Sequence, residues 1–396
     1  MLGIGGIVVS CGGDADTEPT EPTQPTEPTR PTEPTRPIRS SGERVIIIGA
    51  GAAGMTAAHL LVHRGVDVRV LEATSTYGGR IKHLLDFVDF PIPLGAEWLH
   101  VEREVLAHIV DDDSVDVATM LRGYESTDEV AMIVDGELVY DDMGDDYEDL
   151  KFVGSSWLDF FNEYIVDGIA DRMVFDAPVR VIDYSGDVVS MTDAHGEIWE
   201  ADRVIVTVPM KILQDGDIEF VPPLPDAHVE ALAAANIWTG MKVFIEFSER
   251  FYPVFVEFAA DRGADGQRAY YDAAYAQDSD SNVLGLFLVG ELAEPYQALD
   301  EEDELIAYIL AELDAIFDGA ASRTYVQHVV QNWANEPFAK AAYLEDYATA
   351  DIPNALAQTL AGRVFFAGDG YTREDDWSAV HNAVRAARAA VDEMYG

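Results

Sequence analysis

The apolar and polar positions along the chain follow two periodicities, one typical of buried strands and the other of amphipathic helices. Short apolar runs at residues 45–48, 67–71, 204–208 and 364–366 are typical of strands buried in a parallel sheet. A predicted helix lies between the first two runs, and one of its sides carries Met55, Ala58, Leu61 and Val62. This order of strand, helix and strand predicts an α/β fold that begins with a βαβ unit.

Farther along, the pattern predicts a mixture of antiparallel strands and helices. Strands are expected at residues 131–139 (a hairpin that turns at Asp135-Gly136), 179–184, 187–192, 197–200, 240–247, 282–289 and 325–333. Helices are expected at residues 157–165, 226–235, 301–317 and from about residue 379 onward.

Residues 240–247 alternate as a strand, so their side chains divide between two faces. One face is expected to be buried and carries Met241, Val243, Ile245 and Phe247, and the other carries Lys242, Phe244 and Glu246. One interpretation makes Lys242 an ordinary solvated strand residue. However, the chain uses Asp and Glu nearly everywhere else, so a lysine retained here indicates a functional role.

Composition restricts the classes of partner. The 396 residues are enough for two domains, and 73 acidic against 25 basic residues give a net charge of −48. Such a charge repels nucleic acid and anionic membranes, and it is typical of a salt-adapted surface. The only cysteine is Cys11, which excludes an internal disulfide.

The N-terminal residues 1–42 are predicted to form a leader and a linker. Cys11 follows a short apolar run in a pattern that resembles a bacterial lipobox; a plain leader, cleaved or not, is the alternative. From Glu18 to Thr35 the chain repeats x-Pro-Thr, which favours a polyproline II rod of about 56 Å. No later stretch of sequence is long and apolar enough to span a bilayer. We expect an extracytoplasmic protein, lipid-anchored through Cys11 or otherwise secreted or periplasmic.

A glycine-rich motif follows the first predicted strand. Gly49, Gly51 and Gly54 have the G-x-G-x-x-G spacing, and Glu72 stands at the end of the second strand. Glycines at these positions let backbone N–H groups approach a pyrophosphate, and the acid accepts hydrogen bonds from ribose hydroxyls. The motif therefore predicts a dinucleotide site, and the acid disfavours a cofactor with a 2′-phosphate.

Gly78-Gly79-Arg80 extends this motif with a second close backbone approach and a fixed cation. At this point the chain resembles the flavin-containing amine oxidases, the monoamine and polyamine oxidases and their relatives. The resemblance implies an FAD-binding, Rossmann-like domain of the glutathione-reductase type formed by residues 43–99, 170–222 and 344–396. It also implies a discontinuous α+β substrate domain formed by residues 100–169 and 223–343, which is shorter at 101–169 than in the family.

The resemblance also implies site residues. Lys242 would bond through water to flavin N5, His100 would lie at the substrate site, Tyr343 would wall an aromatic site, and Trp333 and Trp377 would complete the pocket. Ala342 stands where covalent members carry the flavin-linking cysteine, so FAD is expected to be held noncovalently. The implied FAD contacts are Gly49, Gly51, Ala53, Gly54, Glu72, Gly79, Arg80, Gly95, Ala96, Glu97, Trp98, Val179, Gly368, Asp369, Ala379 and Val380.

The expected reaction is oxidation of the C–N bond of a small-molecule amine, with O₂ as the acceptor. Two alternatives stay open: a related FAD enzyme that desaturates C–C bonds, and a tethered flavoprotein that no longer turns over. Ser378, Ala379 and Asn382, which depart from the family's pattern, motivate the second alternative. His59 and His63 lie four residues apart, but no third ligand accompanies them, so no metal site is predicted.

Overall fold

The computed structural model describes residues 42–112, 114–117, 120–299, 301–347, 351–371 and 378–396. Cys11, the x-Pro-Thr repeats and Trp377 lie outside the described residues, so the predictions about them are untested. Among the helices of the described ranges, none has both the length and the apolar character required to cross a membrane.

Every strand expected from the apolar runs is present, but the described chain also contains strands that were not predicted, among them Phe255–Phe258 and Gly266–Asp272. In chain order the strands are β1 (Arg44–Ile48), β2 (Asp67–Leu71), β3 (His83–Leu84), β4 (Ile92–Pro93), β5 (Trp98–Leu99), β6 (Leu121–Gly123), β7 (Glu129–Val134), β8 (Glu137–Asp142), β9 (Leu150–Phe152), β10 (Met173–Val174), β11 (Val179–Asp183), β12 (Val189–Asp193), β13 (Ile198–Ala201), β14 (Arg203–Val206), β15 (Glu219–Val221), β16 (Ala235–Trp238), β17 (Gly240–Phe247), β18 (Phe255–Phe258), β19 (Gly266–Asp272), β20 (Asn282–Gly290), β21 (Tyr325–Asn332), β22 (Tyr343–Tyr347) and β23 (Val364–Phe366).

The helices that were predicted also begin and end close to their expected bounds. They are α1 (Ala52–His63), α2 (Val105–Val110), α3 (Trp157–Phe161), α4 (Asp167–Ile169), α5 (Met210–Gln214), α6 (Asp226–Ala234), α7 (Glu294–Gln297), α8 (Glu302–Ile316), α9 (Ala320–Thr324), α10 (Asp351–Leu356) and α11 (Val380–Tyr395). A π-helical turn at Asn162–Val166 continues α3, so the helix predicted at 157–165 is confirmed with a change of hydrogen-bonding register.

A five-stranded parallel sheet joins the two ends of the chain. Its order is β10-β2-β1-β14-β23, and β1 is its central strand. Helices α1 and α11 pack against each other beside this sheet. The predicted βαβ unit is confirmed, and the C-terminal strand β23 completes the sheet that the N-terminal strand β1 begins.

A seven-stranded sheet forms the second large element, in the order β21-β17-β20-β19-β18-β7-β8. Its pairs are antiparallel except for β18 with β7. Helix α8 covers one face, where Ile309 and Leu313 are fully buried against Val243 and Ile245. Each such buried aliphatic side chain contributes about 1.5–3 kcal/mol of transfer free energy.

The opposite face of the seven-stranded sheet is buried as well. Phe244 packs there with Trp98, Phe255 and Tyr271. All residues of β17 are buried except Glu246, which is half-buried. The expectation of two alternating faces is confirmed, but both faces are covered, which places Lys242 in the interior.

The predicted meander is confirmed as a small sheet of order β13-β12-β11-β15. Helix α6 lies in the part of the chain assigned by prediction to the substrate domain, yet its Ala231 and Leu232 belong to the same core cluster as the parallel sheet. The exact domain boundaries stay a prediction.

Candidate active site

A cavity of about 420 Å³ lies between the two large sheets. It opens at the carboxyl ends of β1, β2 and β14, the edge where open parallel sheets bind ligands. Of the predicted site residues within the described chain, all line this cavity except Gly54. Those that line it are Gly49, Gly51, Ala53, Glu72, Gly79, Arg80, Gly95, Ala96, Glu97, Trp98, His100, Val179, Lys242, Trp333, Tyr343, Gly368, Asp369, Ala379 and Val380.

The glycine-rich turn between β1 and α1 leaves room at one position and is tightly packed at another. A Cβ on Gly51 would meet no atom within 4 Å, so the backbone there is open toward the cavity. A Cβ on Gly54 would lie 1.9 Å from the carbonyl oxygen of Gly49, so this glycine allows α1 to pack against the turn. Gly51 caps α1 without a side-chain hydrogen bond, which leaves the first backbone N–H groups of the helix for an anion.

Glu72 is fixed at the end of β2 by three hydrogen bonds. Its Oε2 accepts from the backbone N–H of Ala50 at 2.7 Å, and its Oε1 accepts from the N–H and Oγ of Thr74 at 2.9 and 2.8 Å. The carboxylate is 8% exposed and lines the cavity. This arrangement presents an oriented acceptor, as a ribose diol requires.

Arg80 and Asp369, predicted as separate cofactor contacts, form an ion pair. Arg80 Nη2 lies 2.6 Å from Asp369 Oδ1, and Nη1 donates to the carbonyl oxygen of Ala342 at 2.6 Å. A Cβ on Gly95 would lie 1.9 Å from the Arg80 carbonyl oxygen, so Gly95 has to be glycine. The pair ties the segment after β23 to the motif after β2, and the positive charge of Arg80 at the cavity wall is partly neutralised.

The N-terminus of α11 faces the cavity. Ala379 is the N-cap and Val380 the first helical residue, and both line the wall. Ser378 precedes them with φ +69°, and its N–H donates to the Asp369 carbonyl oxygen at 3.0 Å. A 16-residue helix directs the positive end of its dipole here, which suits an electron-rich ring or an anion.

Lys242 belongs to a buried cluster of charges rather than to the solvent, so its interpretation as a solvated residue is wrong. Its side chain is 4% exposed, and its Nζ lies 2.7 Å from Glu97 Oε2. Glu97 also receives a hydrogen bond from the Tyr271 hydroxyl at 2.6 Å, and Lys151 Nζ lies 3.2 Å from its Oε1. Lys151 is 2% exposed and donates to the carbonyl oxygens of Asp272 and Ala273. We call Lys242, Glu97, Lys151 and Tyr271 the buried charge cluster.

The electrostatics of this cluster favour a charged Glu97. Burial alone would raise the pKa of Glu97, but the charges of Lys242 and Lys151 and the hydrogen bonds from Lys242 and Tyr271 lower it below its ordinary value. Burial lowers the pKa of Lys242, and the charge and hydrogen bond of Glu97 offset part of that effect. Lys242 is therefore a cation that loses a proton more easily than a lysine in water.

Comparison with known proteins identifies the family. The sequence profile described as flavin containing amine oxidoreductase matches residues 141–395. The chain belongs to this family. A second profile, an NAD(P)-binding Rossmann-like domain, matches residues 47–112. The predictions of family and of FAD as the cofactor are confirmed.

The curated relatives are distant. The chain is 24% identical to lysine-specific histone demethylase 1B of Mus musculus over 414 residues, which cover 83% of this chain and 50% of that protein. It is 23% identical to polyamine oxidase 5 of Oryza sativa subsp. japonica over 436 residues, which cover 88% of this chain and 87% of that protein. The chain thus spans about half the length of the histone demethylases that it matches.

Solved structures of amine oxidases share the fold. Putrescine oxidase bound to putrescine has a TM-score of 0.72 at 18% identity, covering 88% of this chain and 98% of that one. Cyclohexylamine oxidase from Brevibacterium oxydans has a TM-score of 0.71 at 17% identity, covering 89% and 98%. The predicted α/β, FAD-binding fold class is therefore confirmed.

An aromatic wall lies beside the buried charge cluster. Tyr343 is parallel to Phe287, with ring centroids 6.5 Å apart and 15° between the planes. Phe287 also pairs in register with Lys242 across β17 and β20, which brings the aromatic wall next to the cluster. Phe287 was not predicted, because its strand appeared in the sequence only as a generic apolar run.

Trp333 and His100 also line the cavity. Trp333 donates from Nε1 to the carbonyl oxygen of Leu94 at 3.0 Å, and Lys82 Nζ lies 5.0 Å from the centre of its ring. His100 Nδ1 lies 2.9 Å from Asp149 Oδ1. The catalytic and pocket roles of these residues stay predictions.

Lys151 is the main residue that sequence reasoning missed. It is one of five lysines in a strongly acidic chain, and the argument that singled out Lys242 applied to it equally. His59, the other unassigned candidate, places its Nε2 2.9 Å from the carbonyl oxygen of Val110. The described ranges contain no group of three His, Cys, Asp or Glu side chains placed to hold a metal ion.

Proposed function

We propose that the protein oxidises the C–N bond of small-molecule amines. The observation that carries the proposal is the juxtaposition, at one cavity wall, of the Tyr343–Phe287 aromatic pair and the Lys242–Glu97 ion pair. FAD, when bound, would supply the two-electron chemistry for removing a hydride from the carbon attached to nitrogen, with O₂ as the proposed final acceptor.

The residues of the chain fit FAD along the whole cavity. The open backbone at Gly51 and the first turn of α1 would bind the pyrophosphate, and Glu72 would bind the ribose. Val179, at the start of β11, would contact the adenine end, and Val380, in the first turn of α11, would face the ring system. Ala342, the residue immediately before Tyr343, carries no thiol, so we propose that FAD is bound noncovalently.

The aromatic wall would bind the apolar body of the amine and exclude water around it. Tyr343 packs on Phe287 and on Trp238, and burial raises the pKa of its phenol far above the ordinary value, so the hydroxyl stays neutral. Ring faces attract an amine nitrogen, whether it arrives charged or neutral. Since hydride transfer requires a neutral nitrogen, a group has to accept the ammonium proton. Lys242 can accept it once it has released a proton of its own, which burial favours by lowering its pKa.

Anaerobic bleaching of the flavin tests the proposal. The purified holoenzyme is mixed with a panel of mono-, di- and polyamines, and flavin absorbance and peroxide release on admitting air are recorded. We expect at least one class of amine to bleach the flavin. A flavin that no amine reduces would contradict the proposal and favour a C–C desaturase or a flavoprotein without turnover.

A Lys242→Met variant tests the lysine, and Lys211→Met is its matched control because Lys211 pairs with Asp215 at the surface. We expect the first variant to slow flavin reduction about 10²-fold, the lower end of what general acid–base groups contribute, and the second to leave it unchanged. Full activity in Lys242→Met would remove this lysine from the mechanism. Acid precipitation that releases all flavin into the supernatant would support noncovalent binding.

A further inference from the structure

Behind the buried charge cluster lies a second, much smaller chamber of about 10 Å³. Glu97 lines both this chamber and the main cavity, so its carboxylate separates the two. The other polar side chains at the chamber belong to Lys151, Ser155, Ser156 and Gln277. The volume is that of about one water molecule, and a buried water requires two to four polar partners.

Two buried oxygens at this chamber are in need of a partner. Ser155 Oγ is buried without a hydrogen bond, and Glu97 Oε1, although 3.2 Å from Lys151 Nζ, receives no well-directed one. Lys151 is already committed, because it donates to the carbonyl oxygens of Asp272 and Ala273 at 3.1 and 2.7 Å. A water donating to Glu97 Oε1 and accepting from Ser155 Oγ would satisfy both oxygens.

From the chamber a chain of polar groups continues to the surface. Ser156 lines the chamber, and its Oγ lies 2.6 Å from His83 Nδ1 and donates to Asp159 Oδ2 at 2.9 Å. The side chain of His83 is 8% exposed and that of Asp159 is 32% exposed. The path therefore leads from a side chain in the cavity wall to a carboxylate in contact with solvent.

We propose that Lys242, Glu97, an ordered water in this chamber, Ser156 and His83 form a proton path from the amine site to solvent. The proposal rests on the proposed amine oxidation. It assigns to Lys151 the role of a positioning residue, because this buried cation donates to two carbonyl oxygens and its Nζ lies 3.2 Å from Glu97 Oε1, which holds Glu97 between the two cavities.

The proton balance of the path is simple. The substrate ammonium gives up one N–H proton and becomes the neutral amine. Lys242 passes one of its protons to Glu97 and regains one from the substrate side. Glu97 gives a proton to the chamber water, which passes one of its own to Ser156 Oγ. The hydroxyl proton that Ser156 directs at Asp159 Oδ2 turns to His83 Nδ1, and His83 exchanges a proton with solvent. One proton leaves for each amine neutralised, and the transfer itself moves no electrons.

The groups that face Glu97 come from three strands: Lys242 from β17, Lys151 from β9 and Tyr271 from β19. Asp159 and Ser156 face His83. Ser155 carries no charge, so its replacement leaves all of these groups as they are in the wild type. Ser155 therefore offers a perturbation of the path that leaves the charges of the site in place.

Ser155→Val fills the chamber, and Ser155→Ala is its matched control, since it removes the hydroxyl but leaves room for water. Anaerobic flavin reduction is followed in the holoenzyme from about pH 7 to about pH 10, across the range in which simple amines become neutral. The amine is the member of the panel that bleaches the wild type fastest. We expect Ser155→Val to reduce the flavin about tenfold more slowly at pH 7, with a larger solvent isotope effect, and to approach the wild-type rate at pH 10.

The pH dependence separates a proton path from a merely structural role. If valine simply distorted the site, the rate would fall by the same factor at every pH. That result, or an unchanged rate and isotope effect, would overturn the proposal. A second variant, His83→Gln, removes the proton exchanger near the surface and is compared with His195→Gln, an exposed histidine elsewhere. We expect slower flavin reduction at pH 7 in His83→Gln and an unchanged rate in His195→Gln.

A measurement independent of turnover is a high-resolution crystal structure of the holoenzyme. We expect density for one water within hydrogen-bond distance of Ser155 Oγ and Glu97 Oε1, and none in Ser155→Val. A dry chamber in the wild type would contradict the proposal even if the kinetics agreed. If no amine reduces the wild-type flavin, the proposed function fails, and the crystal structure alone then decides whether the chamber holds a water.

Discussion

Removal of the Glu97 charge is the sharpest test of the buried charge cluster. In Glu97→Gln, the ammonium groups of Lys242 and Lys151, which are 4% and 2% exposed, lose the carboxylate that lies between them. Removing one partner of a buried ion pair costs about 3–5 kcal/mol, because the remaining charge is buried without compensation. We expect a loss of this size in the free energy of unfolding at neutral pH.

Glu336→Gln is the matched control. The Glu336–Lys82 pair has the same 2.7 Å separation as Glu97–Lys242, but its side chains are 33% and 32% exposed. Such a surface pair contributes about 0–1 kcal/mol. Urea denaturation of both variants, at saturating FAD, compares two carboxylates that differ mainly in burial. Equal losses in the two variants would refute the reasoning.

The pH dependence of this loss in unfolding free energy has a definite sign both in acid and in base. Because the folded pKa of Glu97 is depressed, its stabilisation is complete above the unfolded pKa of about 4.3 and is lost as pH falls through the folded value. Wild type and Glu97→Gln should therefore converge in acid. In the variant, loss of the carboxylate lowers the pKa of Lys242 further, so with rising pH the folded variant releases this proton before the folded wild type does. The difference in unfolding free energy between the two proteins therefore narrows toward about pH 10. A gap that widens at either end would contradict the assignment of charges.

Three further predictions concern the cavity. Gly51→Val should weaken FAD binding at least about tenfold in a fluorescence titration, because the valine side chain enters the open space, and should leave the melting temperature of FAD-free protein unchanged. Gly54→Ala should instead destabilise the fold itself. Glu72→Gln should weaken FAD binding by about 1.5–3 kcal/mol, the strength of hydrogen bonds to a charged group, and an unchanged dissociation constant would remove Glu72 from the ribose site. Tyr343→Leu should lose about 0.5–1.5 kcal/mol of binding to an aromatic amine but not to an aliphatic one, since it loses the ring that packs on Phe287; equal losses for both amines would argue against ring contact.

The local parts of the fold could be predicted because they are determined by neighbouring residues. The turn at Gly49 and Gly51 is set by spacing, and the hairpin at Asp135-Gly136 by two residues that adopt positive φ, +51° and +84°. The amphipathic stripe of α8 likewise shows in its own sequence. In each case, the interactions that determine the structure connect residues fewer than ten positions apart.

The site could be predicted only where a motif marked it. Arg80 and Asp369 were each identified, but their ion pair joins positions 289 residues apart and depends on how β23 enters the sheet. Lys151 lies on a three-residue strand without periodicity, and its contact with Ala273 spans 122 residues. Tyr271 and Phe287 were hidden for the same reason: an aromatic residue in an apolar strand has no signature of the surface that it will face.

The distribution of lysines connects the acidity of the chain with its chemistry. Each of the five lysines lies within 4 Å of a carboxylate: Lys82 of Glu336, Lys151 and Lys242 of Glu97, Lys211 of Asp215, and Lys340 of Asp217. Three of these pairs are about one-third exposed, so salt screens them and each contributes little. The two that share Glu97 are buried, where screening is weak and an unpaired charge is costly. The two lysines whose charges salt screens least are thus the two that lie beside Glu97, at one wall of the cavity.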